Sequence, residues 1–198
     1  MGGFSWTGIS AAPAASANGY VESVAMKVGA YTLAATTPTF GARHVTCTRT
    51  VVGGADTPGT LLVTSKDLSG QTITETLTPG AHGVLVTGTK FFASVASITG
   101  AGWVTATGDD TIVVGWDALN AIATGSGTLH SIVVNTTAAG TITVTDASGT
   151  IAVLKASIAE GNYLYDVGWQ GYLRVETAAA SNITVIHSGS LPQTYAMS

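Results

Sequence analysis

A chain of 198 residues with a net charge of −4 and only 7 Lys+Arg has none of the basic clusters that neutralise phosphates, so neither nucleic acid nor an anionic membrane is an expected partner. Charged residues make up 9% of the chain, against about 25% in ordinary soluble domains. The abundance of Val, Ile and Thr excludes a disordered chain, and no stretch approaches the ~20 apolar residues of a membrane helix.

Residues 1–19 are mostly Gly, Ala, Ser and Pro around two aromatics, Phe4 and Trp6, and read as an extended N-terminal arm. Two large rings on such a segment need burial, on the chain's own body or on a neighbouring subunit, which makes Phe4 and Trp6 the interface candidates. The segment lacks the charged and apolar regions of a signal peptide, and Trp6 stands where a myristoylation signal has Ser or Thr. A chain that stays in the cytoplasm, or is assembled there, is expected.

From Tyr20 onward short strand patterns recur between turn signals. Residues 24–28 and 31–33 come first, then 43–51, where Cys47 alternates with Thr46 and Thr48 as an inward residue. Residues 53–59 form a Gly-rich loop. Residues 61–64 and 71–77, joined through Asp67-Leu68-Ser69-Gly70, make a hairpin. Pro79-Gly80 turns the chain again, and residues 84–86, 91–98 and 111–116 complete a set of the size a sandwich or barrel needs. Residues 117–123 lose the alternation, and Thr124-Gly125-Ser126-Gly127 resembles a linker. Beyond it, residues 129–135 and 141–146 read as a pair, followed by strands at 151–156, 163–167, 172–177 and 182–187. The expected fold class is all-β: two tandem small antiparallel β-sandwich- or barrel-like domains, residues 20–123 and 124–198, behind an arm of residues 1–19.

The chemistry is sparse. A single cysteine, Cys47, excludes an intrachain disulfide and reads as a small buried hydrophobe. His44, His82, His130 and His187 have no Cys or carboxylate at ligand spacing. His130 and His187 could approach each other if their strands pair, but structural metal sites want four ligands. Asp109-Asp110, after Gly108, reads as turn chemistry. Phosphate-cradling glycine loops, nucleophile elbows and His-Glu-x-x-His pairs are absent. No catalytic, cofactor-binding or metal residue is therefore expected. Trp103, Trp116, Trp169, Tyr163, Tyr165 and Tyr172 could line a glycan platform, but in small sandwiches such rings more often fill the core.

Two runs carry a resemblance. Leu61-Leu62-Val63-Thr64, Gln71-Thr72-Ile73-Thr74-Glu75-Thr76-Leu77, the stretch from Val86 to Ile98 and Val114-Gly115-Trp116 together look like a module common in virion proteins of tailed bacteriophages. Leu129 to Thr136, Gly140-Thr141-Ile142-Thr143-Val144, Tyr163-Leu164-Tyr165-Asp166-Val167 and Ile183-Thr184-Val185 resemble another small phage β module. The resemblance implies a non-catalytic structural role in the virion, assembled in the host cytoplasm, with other virion proteins as partners: the major capsid protein, or head–tail and tail proteins. A surface short of charge suits burial against neighbours. The expectation is a capsid decoration or cement protein, itself a homo-oligomer. The alternatives are a head–tail connector, tail or fibre-base component, or a carbohydrate-binding module for host recognition.

Overall fold

A computed structural model describes residues 4–9, 14–26, 28–38, 41–53, 57–104 and 110–189. The described residues contain no helix. In chain order the strands are β1 (Ser5–Ile9), β2 (Ser16–Ala25), β3 (Gly29–Ala30), β4 (Ala42–Thr50), β5 (Thr60–Lys66), β6 (Thr72–Leu77), β7 (Leu85–Phe92), β8 (Ser97–Ala101), β9 (Thr111–Thr136), β10 (Ile142–Asp146), β11 (Gly149–Leu154), β12 (Gly161–Thr177) and β13 (Asn182–Gly189). The chain divides into two compact units, Ala14–Asn120 and a second made of Met1–Pro13 with Ala121–Ser198. The boundary falls within β9, which supplies strand to both.

The unit Ala14–Asn120 is a sandwich of two sheets, β2–β9–β4–β7 and β3–β8–β5–β6. Alternation explains the burial: on β5, Leu61, Val63 and Ser65 are buried while Leu62 and Lys66 are exposed. Tyr20, Val21, Val45, Cys47, Phe92 and Val114 of the first sheet share one apolar cluster with Leu61, Val63, Leu77 and Ile98 of the second. Burial pushes the Cys47 thiol up to about 12. The β5–β6 hairpin forms as its sequence indicates, from Leu61↔Leu77 to Lys66↔Thr72. Asp67 builds its turn, with Oδ1 accepting from the Ser69 amide (2.8 Å), the Ser69 hydroxyl (2.6 Å) and the Gln71 amide (3.0 Å). Gly70 supplies the positive φ of 79°. Edge strand β7 is tied down by Glu75 of β6, whose Oε1 accepts from the Thr89 amide (2.6 Å) and hydroxyl (2.9 Å).

The other unit is a six-stranded antiparallel sheet in the order β1–β13–β9–β12–β10–β11. Ile132, Val134, Ile142, Val144, Leu173, Val175, Ile183 and Val185 are buried on it. Register shifts on β9 and β12 bend the two long strands, as bulges do.

Three sequence expectations need correction. Within the segment read as an arm, the described residues Ser5–Ile9 form strand β1, paired with β13 from Ser5↔His187 to Ile9↔Ile183, and β2 begins at Ser16. The reason is an available edge. An unpaired β13 would leave a row of backbone donors and acceptors open. Residues 124–127 are no linker either. Gly125 pairs with Gly171, Ser126 with Gln170 and Gly127 with Trp169 inside the β9–β12 ladder. A Cβ on Gly127 would lie 1.9 Å from the Ser188 carbonyl oxygen, so this glycine permits close packing rather than flexibility. Finally, residues 163–167 and 172–177 belong to one strand, β12, and β10 pairs with β11 and β12 rather than with β9.

Candidate interaction surface

In the unit that holds β1, one β-bulge creates the most distinctive surface. Ser131 pairs with Leu164 and Leu129 with Val167, so His130 alone opposes Tyr165 and Asp166. On the other side Ser131 pairs with Ile186 and Leu129 with His187, which leaves His130 as an extra residue against β13 as well. A bulge re-aims a side chain, and here it turns His130 outward to the Asp166 carboxylate, which accepts from Nδ1. Asp166 holds a left-handed φ of 48°, a conformation Asp tolerates better than most residues. The Phe4 ring lies against the His130 ring, centroids 4.7 Å apart. Phe4 is 59% exposed and Leu164 64% exposed, so an aromatic and a leucine stand open beside this His–Asp pair. Trp6 occupies a register row with Ile186, Ser131 and Leu164; its side chain lies outside the described residues. The sequence named Phe4 and His130 but could not have joined His130 to Asp166, whose meeting depends on a bulge.

The strands of His130 and His187 do pair, yet the two rings do not meet at a common site. His187, opposite the buried Leu129, is 5% exposed, whereas His130 is turned out. Burial lowers the His187 pKa, with a smaller opposing effect from the Ser188 backbone. The folded state therefore holds the neutral ring, while the unfolded chain takes up a proton near pH 6.5. Stability is complete above that pH and is lost progressively as pH falls below it. The thermal midpoint is expected to be level above about pH 6.5 and to decline toward about pH 5. His187→Leu should flatten that decline, and an unchanged slope in a calorimetric pH series would show that His187 is not its source.

The sandwich unit holds a buried polar cluster instead. Arg43 is fully buried; Nη1 donates to the Asp117 carbonyl (2.9 Å) and the Ala14 carbonyl (3.4 Å). The Trp116 indole N–H also donates to the Ala14 carbonyl (3.3 Å). His44 Nδ1 donates to Asp117 Oδ2 (2.8 Å) and its ring packs on Phe91 at 4.0 Å. Tyr20 meets Trp116 edge-on at 4.9 Å. Burial pushes the Tyr20 phenol well above its ordinary pKa, with Arg43 acting downward and Asp117 upward. Burial also lowers the Arg43 pKa, opposed by Asp117. These groups fasten Ala14 and the adjoining start of β2 to the sandwich.

The remaining candidates are tied into the fold by hydrogen bonds or burial. Asp110 is buried and its Oδ1 accepts from the Val52 amide (2.8 Å); Asp109 lies outside the described residues. Asp146 borders a shallow hollow with Ser126, Ser148, Gly168, Trp169 and Gln170. Its Oδ1 accepts from Ser148 and Gly149 and its Oδ2 from the Gln170 amide (3.0 Å). The Ser148 hydroxyl is the first cause of its lowered pKa. Trp116 and Trp169 are buried and Trp103 is half-buried, so they do not form an open aromatic row. The Trp169 N–H donates to the Ser188 carbonyl (3.1 Å). Among the described residues no three His, Cys, Asp or Glu side chains are grouped to hold a metal ion. No protein-family model, curated protein or solved structure matches this chain.

Proposed function

We propose that this chain is a non-catalytic structural component of a tailed-bacteriophage particle, and in the first instance a protein that decorates and cements the capsid shell. The observation that carries the reading is a surface with few ionised groups and many open apolar side chains. The whole chain has 7 Lys+Arg and 11 Asp+Glu, while Val28, Val52, Leu85, Val104, Phe4 and Leu164 are all more than half exposed. Such a surface resists self-association poorly and suits contact with other protein. The resemblance of its strand runs to phage modules supplies the kind of particle. Glycan recognition finds less support, because Trp116 and Trp169 are core residues.

The test is co-sedimentation of the purified chain with phage particles. Phe4→Ala, which removes an open ring, is expected to reduce bound copies while leaving the free energy of unfolding within about 0.5 kcal/mol of the parent. Full occupancy by the variant would remove Phe4 from the interface, and no co-sedimentation of the parent would sink the reading. Copy number separates decoration, at hundreds per particle, from a head–tail or tail ring of about three to twelve.

A further inference from the structure

We infer that strand β1 is exchangeable, and that copies of this chain join by docking β1 of one copy on β13 of another. The inference deepens the assembly reading and rests on it, since it names the self-contact of the expected homo-oligomer.

Connectivity is the first ground. β1 packs with the unit formed by Ala121–Ser198, but the chain leaves β1 to enter the other unit at Ala14. β1 and β13 stand at opposite ends of the described chain, so no hairpin forces them together. The second ground is the firmness of the far anchor. The Ala14 carbonyl accepts from Arg43 and Trp116. A Cβ on Gly115 would lie 1.8 Å from the Ser16 carbonyl oxygen, and one on Gly19 would lie 2.1 Å from the Trp116 ring. The sandwich therefore keeps the chain from Ala14 onward whether or not β1 is docked, and only residues 10–13 separate the two anchors.

The third ground is how little holds β1 itself. Among the described residues it pairs with β13 alone, over five residues, and no described strand lies on its other edge. Its sequence, Ser-Trp-Thr-Gly-Ile, carries no charge that would mark it for its own copy. Ile9 is buried on it, opposite the buried Ile183. A bare β13 edge beside Ile183 and Val185 demands a strand, and among the described strands β1 is the one whose register fits it. Docked in trans, β1 remakes every contact it made in cis, which is why exchange of an identical element is a low-cost route to oligomers. The balance is then set by concentration against the effective concentration of the tethered strand, of the order of millimolar for a short connection.

Gly8 and Thr184 are register partners, and a Cβ on Gly8 meets nothing within 4 Å. Directly opposed residues in an antiparallel pair are about 4.5–5.5 Å apart at Cα, within disulfide range. The buried Cys47 does not compete. Two full-length variants, Gly8→Cys and Thr184→Cys, are mixed at about millimolar concentration, oxidised, and resolved by non-reducing gel and peptide mass spectrometry. A bond joining positions 8 and 184 of unlike chains is expected. The double variant Gly8→Cys/Thr184→Cys, in dilute solution, should close within one chain and so verifies folding and pairing; a short bis-maleimide reads the same proximity independently of disulfide geometry. Oligomers without the mixed bond would overturn exchange and leave the assembly reading standing. Monomers throughout, without a mixed bond, would overturn exchange, and only if the parent also failed to co-sediment with particles would the assembly reading fall with it.

Discussion

Gly127→Ala is expected to destabilise the β1-containing unit by about 3 kcal/mol, at the upper end of ordinary overpacking costs. The added methyl would lie 1.9 Å from the Ser188 carbonyl oxygen and 2.8 Å from Cζ2 of Trp169. The first obstacle is backbone, which cannot rotate away. Relief requires β13 to peel from β9, which also disturbs the Trp169 ring, because its N–H is bonded to the same Ser188 carbonyl. Gly168→Ala is the control: its nearest neighbour, the Gly127 carbonyl oxygen, is at 3.9 Å, an ordinary contact. Urea unfolding of both variants measures the difference. Equal midpoints would mean that residues 124–127 have the freedom of a linker.

The second large effect belongs to the sandwich. Arg43→Ala is expected to cost about 3–5 kcal/mol, the range for removing one member of a buried ionic network, or about 2 M in urea midpoint at a typical slope. Part of this is cavity, because Arg43 is among the largest fully buried side chains. Arg43→Met fills most of that space yet still strips the Ala14 and Asp117 carbonyls of a charged donor, a loss of about 1.5–3 kcal/mol. The Asp117 carboxylate keeps His44 in either case. A Met variant as stable as the parent would reduce the role of Arg43 to filling space.

These two positions show where sequence reading reached and where it stopped. The all-β class follows from local signals: alternation at Leu61, Val63 and Ser65, and an Asp67 turn closed by Gly70, lie within a few residues of their partners. What escaped is non-local. Gly125 and Gly127 carry the composition of a flexible connector, and only Gly171, Trp169 and Ser188, far along the chain, show that they are packed. β1 is likewise a strand because β13 offers an edge at the other end of the chain. His130 and Asp166 have no motif between them; a two-against-one bulge brings them together. Phe4 was legible as a ring in need of a contact, though not that His130 would be its first neighbour.

Cys47, wholly enclosed and with its thiol held in the unreactive protonated form, gives the molecule an internal timer. A sulfhydryl reagent can reach it only during the intervals when the sandwich parts. The labelling rate of that single atom therefore counts opening events of the sandwich, with no engineered probe.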